Sequence, residues 1–138
     1  MTGSFEILEH TADVGLRLTG SSPGEVFEAA GEGVATLLGA WFPGGGKEHL
    51  VETIAVDREA LLAGWIDDLL YIHEAEDVVF CGFEVEVPDE VRLSARVLIA
   101  PRDDRELEGV GIKAATYHRL RFEQRSDGIW LAEIYVDV

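Results

Sequence analysis

The sequence predicts a single α+β domain in which two helices pack on a mostly antiparallel sheet. The chain has 138 residues, and hydrophobic residues make up 47% of it. Two segments carry hydrophobic side chains at helical spacing, and most of the remaining chain alternates between hydrophobic and polar residues, as strands with one buried face do. At this length we expect one domain, residues 1–138. The predicted element order is β-β-α-β-α-β-β-β-β.

Two strands and a helix are predicted in the first third of the chain. Residues 5–9 and 14–19 alternate, with a short polar segment between them. Ser22 is the predicted N-cap of the first helix, with Pro23 at its first position and Glu25 completing a capping box. The helical pattern ends before Pro-Gly-Gly-Gly at 43–46, which we interpret as a flexible turn. No Lys-Ser or Lys-Thr follows these glycines, so they are not a phosphate loop.

A strand at 50–56 leads into a second helix, which Asp57 caps. Hydrophobic residues recur along one face of this helix, and we expect Asp67 and Asp68 on or near the opposite face. The rest of the chain alternates as four strands, with turn residues at Pro88-Asp89 and at 126–128. We therefore expect antiparallel hairpins over 78–87, 91–99, 112–123 and 129–136.

Charge and composition exclude several classes of function. The net charge is −16, which argues against direct tight binding of RNA, since phosphate neutralisation needs clustered Lys and Arg. It favours binding of a cation or of a basic partner. Cys81 lies in a hydrophobic run and is expected to be a buried structural residue. The sequence has neither a membrane-spanning stretch nor a secretory signal, so we expect a cytoplasmic location and no membrane partner.

Three carboxylates are candidates for a metal site. Asp137 is the last residue but one, so its side chain lies beside the terminal carboxylate of Val138. If Asp13 folds against them, three oxygen-rich groups converge, which suits a hard divalent cation such as Ca2+ or Mg2+. Each residue has a simpler interpretation as well. Asp13 can be a turn residue that bonds its own backbone, and nearby His10 a hydrogen-bonded structural histidine.

Lys113 follows Val110-Gly111-Ile112 and lies in the sixth predicted strand, residues 112–123. Its side chain either points to solvent or places a positive charge beside Asp13 and Asp137. If that strand is regular, Thr116 and His118 share one face, and Lys113 shares the other with Tyr117. Two further classes of function remain open at this point. One is a small metal-dependent hydrolase using Asp13, Asp137 and His10, and the other is a ligand-binding module with a structural metal.

Taken together, these segments resemble the archease family over essentially the whole chain. The resemblance rests on four pieces in their order and spacing. They are His10-Thr-Ala-Asp-Val-Gly15, Trp65 with Leu69-Leu70-Tyr71, Ile112-Lys-Ala-Ala-Thr-Tyr-His118, and the last strand ending in Asp137-Val138. The segment 98–107 departs from the family pattern, so no partner contact is carried over to it.

The resemblance implies an accessory protein and not an enzyme. Members of the family promote guanylylation and multiple turnover of the RtcB-type RNA-splicing ligase, which acts in tRNA splicing or RNA repair. The family is described as α+β with a divalent metal, commonly Ca2+. Carried over to this chain, the metal ligands are Asp13, Asp137 and the carboxylate of Val138. Lys113 matches the motif lysine, and His10 and His118 are further candidates for partner contact.

Overall fold

The computed structural model describes residues 3–9 and 13–138 and contains seven strands and two helices over that part of the chain. The predicted element order is confirmed. The elements are β1 (Ser4–Glu9), β2 (Asp13–Gly20), α1 (Pro23–Leu37), β3 (Lys47–Ile54), α2 (Arg58–Glu76), β4 (Val78–Asp89), β5 (Arg92–Pro101), β6 (Ala114–Gln124) and β7 (Trp130–Asp137).

The helix ends lie where the capping residues predict them. The Ser22 hydroxyl accepts a hydrogen bond from the Glu25 amide, and the Asp57 carboxylate accepts one from the Ala60 amide. Each bond satisfies an amide in the first helical turn that has no partner within the helix. The Glu25 carboxylate accepts from the amide of Ser21, one residue before the position that a standard capping box uses.

The predicted α+β class with two helices and antiparallel strands is confirmed, and the strands divide between two sheets instead of forming one. The first sheet has the order β1-β2-β7-β6, and the second has the order β3-β5-β4. All pairings within both sheets are antiparallel. The division was not predicted because alternation shows which face of a strand is buried and not which strand lies beside it.

One continuous core joins the helices to the inner faces of both sheets. Trp65 of α2 is fully buried at its centre, and its indole N–H donates to the Phe27 carbonyl of α1 at 2.8 Å. Its ring meets that of Phe83 from β4 edge-on, with the centroids 6.1 Å apart. This one side chain therefore connects both helices and the second sheet.

The glycine run at 43–46 turns the chain and also binds to the backbone of β4. The Phe42 amide donates to the Phe80 carbonyl, and the Gly44 amide donates to the Cys81 carbonyl, so the segment lies along the open edge of β4. Gly44, Gly45 and Gly46 all have positive φ angles, between 75° and 99°. Residues with a Cβ rarely adopt this backbone, which explains three successive glycines there.

Asp67 and Asp68 are expected on or near the face of α2 opposite its buried stripe; Asp67 is exposed and Asp68 half-buried, and each carboxylate also binds a sheet. Asp67 accepts a hydrogen bond from the Ala115 amide of β6 at 2.9 Å. Asp68 accepts one from the Thr53 hydroxyl of β3 at 2.5 Å. The helix crosses between the two sheets, and the neighbouring carboxylates tie it to one sheet each.

Candidate functional site: an acidic pair beside a lysine

Asp13 and Asp137 are direct neighbours at one end of the first sheet. They lie opposite each other in the antiparallel register of β2 and β7. Residues opposite each other in such a pair project to the same face, with Cβ atoms about 4.5–5.5 Å apart. This face is the outer one, because the next residue of β7, Val136, is fully buried against the helices. The fold therefore brings together two carboxylates that are 124 positions apart (137 − 13) in the chain.

Lys113 is held at the same end of the sheet. Its backbone amide donates to the carbonyl of Asp137 at 2.9 Å. The next residue, Ala114, lies opposite Asp137 on the side away from Asp13. The Lys113 side chain is exposed and forms no ion pair with any described residue. Its charge is thus available to a partner.

Asp67 holds the backbone beside this lysine in place, a role that the sequence pattern did not predict. Its bond to the Ala115 amide fixes the start of β6, two residues after Lys113. Burial raises the pKa of the Asp67 carboxyl; the Ala115 amide opposes this shift, and the neighbouring Asp68 charge adds to it. The polar pair Asp67-Asp68 in an otherwise apolar helical stretch was the available signal, because two charges near a buried stripe often have specific partners.

The outer face next to the acidic pair is packed although no helix covers it. Tyr135 is only 9% exposed, and its ring lies over Gly15, where an added Cβ would come within 2.7 Å of a ring carbon. Gly15 is therefore needed for close approach of the ring. The two motif residues thus differ in role. Asp13 lies at the end of the sheet, and Gly15 lies beneath the Tyr135 ring.

A charge ladder crosses the four strands in the register row beyond Tyr135. Glu133 forms ion pairs with Arg17 at 2.8 Å and with Arg121 at 3.0 Å. Burial alone would raise the pKa of the Glu133 carboxyl, but its bonds to the two guanidinium groups lower it overall. The ladder pairs the charges at the centre of this face, and the Asp13–Asp137 pair lies beyond it at the end of the sheet.

A groove of about 710 Å³ begins at Lys113 and runs past the C-terminal ends of both helices. Its apolar wall includes Leu70 and Ile112, and its polar wall includes His73, Glu74 and Arg102. Neither Asp13 nor Asp137 lines it. Lys113 therefore stands between two distinct features, the groove on one side and the acidic pair on the other.

His118 lies in an irregular part of β6, which the predicted alternation did not anticipate. Between Thr116 and Arg121 the register with β7 shifts, and Arg119 has a φ of 58°. Four residues of β6 there oppose a single residue of β7. The strand therefore bulges, and Tyr117 and His118 are exposed to solvent. His118 is consequently not placed beside the two aspartates. Its role in partner contact stays a prediction.

The remaining predicted site residues are only partly described. His10 lies outside the described residues. Val138 follows Asp137 and is 42% exposed. Within residues 3–9 and 13–138, no group of three or more His, Cys, Asp or Glu side chains is arranged to hold a metal ion. The acidic pair supplies two carboxylates on one face, which fits a hard cation in donor type, provided that a main-chain group completes the set.

The fold and the site define a small α+β protein that presents paired carboxylates and a lysine at an exposed sheet end, beside an open groove. A profile of the archease protein family (MTH1598/TM1083) matches residues 5–138. Protein archease from Pyrococcus abyssi is 34% identical over 97% of this chain and 98% of its own length. Protein archease from Methanosarcina mazei is 33% identical, over 97% and 95% respectively. The chain belongs to the archease family.

Solved structures share the fold. The solution structure of protein 1598 from Methanobacterium thermoautotrophicum has a TM-score of 0.79 and 26% identity, and the match covers 98% of this chain and 99% of that one. The crystal structure of an archease from Thermotoga maritima, described as a possible chaperone, has a TM-score of 0.66. It is 22% identical with 96% of each chain covered, and it therefore supports the fold alone. In the described part of the chain, neither helix is long and apolar enough to cross a membrane.

Proposed function

We propose that this protein activates an RtcB-type RNA ligase by promoting its guanylylation and turnover, and that it catalyses no reaction itself. One observation carries the proposal. The first motif, the lysine motif and the last strand, which are far apart in sequence, meet at one exposed sheet end through the Asp13–Asp137 register and the Lys113 amide bond. Such an end can enter a cleft of another protein, whereas a substrate pocket would enclose these residues.

We further propose that a divalent cation, with Ca2+ as the first candidate, binds Asp13, Asp137 and the carboxylate of Val138. Like charges directly opposite each other in a sheet destabilise it, so a cation there would relieve the repulsion of the aspartates. When bound, the cation would offer a positive contact to nucleotide phosphate oxygens at the ligase. Asp13 and Asp137 would hold it, and Lys113 would add a second positive group nearby.

Two features favour an activator over the metal-dependent hydrolase. The groove of about 710 Å³ is lined by neither aspartate, so the acidic pair does not face the cavity in which a substrate would bind. The net charge of −16 also favours a basic protein cleft over free RNA as the partner.

We expect this protein to bind the ligase and not free RNA, and Lys113→Met to weaken the complex while the protein stays folded. Substitution of a solvent-facing side chain changes stability by no more than about 0.5 kcal/mol, so the melting temperature should stay nearly constant. The measurement is a pull-down with purified ligase beside a gel shift with labelled RNA, at several salt concentrations. Ligase binding should weaken as salt rises.

The matched control is Lys47→Met, the same substitution at an exposed lysine of the second sheet. Tight RNA binding by the isolated protein, without ligase association, would overturn the proposed function. Equal ligase binding by the wild type and by Lys113→Met would show that Lys113 does not contribute to ligase binding.

A further inference from the structure

We propose that the open edge of β3 and the facing side of α2 form a second binding site, which takes an extended basic segment of another protein as an added strand. This site lies on the second sheet and is separate from the acidic pair. It goes beyond the proposed function, and each can fail without the other.

The edge is a free one. Among residues 3–9 and 13–138, β3 pairs only with β5, so one side of its backbone is not used in the sheet. A cavity of about 270 Å³ runs along this side. It is lined by residues 49–52 of β3 and by Asp68, Tyr71, Ile72 and Glu76 of α2. A groove between an edge strand and a helix accepts an extended peptide, whose main chain bonds to the strand while its alternate side chains meet the helix.

The fold holds this groove open at one end. Near Thr53 the strand and the helix are in close contact, because Asp68 accepts a hydrogen bond from the Thr53 hydroxyl. A Cβ on Gly64 would approach the Thr53 methyl group to 3.1 Å. Toward His49 and Glu76 the two elements separate, which leaves the cavity. The backbone edge is thus fixed in position and accessible.

Exposed apolar side chains lie on both sides of this edge. Leu50 (69% exposed) and Ile54 (76% exposed) lie on the outer face of the sheet, and Tyr71 of α2 is 73% exposed. Edge strands in soluble proteins usually carry charged residues, prolines or bulges that prevent pairing. Here β3 is regular over its whole length with β5, and its outward face alternates Glu48 and Glu52 with Leu50 and Ile54. These glutamates disfavour an acidic strand and favour a basic one.

The negative charge around the groove favours a basic segment as its occupant. The groove is bordered by Glu52, Asp68 and Glu76, and none of them forms an ion pair within the described chain. In an extended segment that alternates apolar residues with Lys or Arg, the apolar side chains would lie beside Leu50 and Ile54 on the outer face of the sheet. Its cations would then point to the helix side, where they meet Asp68 and Glu76.

A second copy of this chain fits the edge poorly. Two copies carry −16 each and repel. Antiparallel pairing about Leu50 places Glu48 opposite Glu52 twice, and pairing about Glu52 places that glutamate opposite itself. Pairing about Val51 sets Leu50 and Ile54 opposite carboxylates. Each central register is thus unfavourable, and a basic partner segment is the better occupant.

The test is an NMR titration of the isotope-labelled full chain with the peptide acetyl-Lys-Val-Arg-Val-Lys-Val-Arg-amide. The expected result is a set of amide shift changes confined to β3 and to residues 68–76 of α2, with slower hydrogen exchange in β3. Leu50→Lys should weaken binding by about tenfold or more, since it removes an apolar contact and adds a like charge. Val91→Lys, the same kind of change at an exposed valine of the β4–β5 turn, should bind as the wild type does.

Three results would overturn the proposal. The first is the absence of binding, and the second is binding that maps to other residues or that Leu50→Lys leaves unchanged. The third is a homodimer through β3, detected by sedimentation at the concentrations of the titration. A matched peptide with Glu in place of Lys and Arg should not bind, and equal binding of this peptide would contradict the charge argument.

Discussion

Asp13→Asn should abolish the binding of Ca2+ to this protein. Asp13 and Asp137 are opposite each other in the β2–β7 register, and the substitution removes one of two facing carboxylates. Loss of an outer-shell partner of a metal ligand already costs about 10–100-fold in affinity, so loss of a ligand should cost at least on the order of 100-fold. Isothermal titration of the apo protein with Ca2+ gives the affinity directly.

Thermal unfolding provides a second measurement of Ca2+ binding by the wild type and by Asp13→Asn. Saturation at about 100 times the dissociation constant stabilises a protein by about 2.7 kcal/mol, so Ca2+ should raise the melting temperature of the wild type and not that of Asp13→Asn.

The matched control is Glu123→Gln, which removes one carboxylate charge from an exposed residue of β6 in the same sheet and should retain Ca2+ binding. Wild-type affinity in Asp13→Asn would contradict the proposed site. A loss of affinity in Glu123→Gln of similar size would show instead that net charge, and not this pair, determines cation binding.

Trp65→Ala should have the largest effect on stability in this chain. The side chain is fully buried, donates to the Phe27 carbonyl and packs against the ring of Phe83. Replacement of a buried tryptophan by alanine costs about 3–5 kcal/mol. The Phe27 carbonyl would keep its bond within α1, so no unpaired group adds to this cost. Domains of this size unfold with about 5–15 kcal/mol, so a large part of the stability is at risk.

Urea unfolding followed by circular dichroism measures this loss. Trp65→Phe keeps an aromatic ring in place and removes the indole N–H, so it should be destabilised less than Trp65→Ala. A loss below about 1 kcal/mol in Trp65→Ala would contradict the placement of this residue at the centre of the core.

Local patterns in the sequence were sufficient to predict most of the fold. The caps at Ser22 and Asp57, the buried stripe of α2 and the two C-terminal hairpins depend on neighbouring residues, and the structure confirms them. The division into two sheets depends on contacts between distant strands. Periodicity does not specify such contacts, and the prediction of a single sheet was incomplete for this reason.

The candidate site was predictable in part. The sequence identified Asp13, Asp137 and Lys113, and the structure places all three at one sheet end through backbone register. The role of Asp67 was missed, because its partner is a backbone amide 48 residues away. The bulge at 117–120 was also missed, since the left-handed conformation of Arg119 has no signal in a residue type that rarely adopts it.

The proposal that this protein activates an RtcB-type ligase is tested most directly by the guanylylation of that ligase. Purified ligase is incubated with labelled GTP and a divalent cation, alone or with this protein, and the covalent ligase–GMP adduct is followed over time. The wild-type protein should increase both the rate of adduct formation and the number of ligation turnovers. Folded Asp137→Asn and Lys113→Met should lose most of this effect, and Lys47→Met should retain it. Guanylylation and turnover that are the same with and without the wild-type protein would contradict the account.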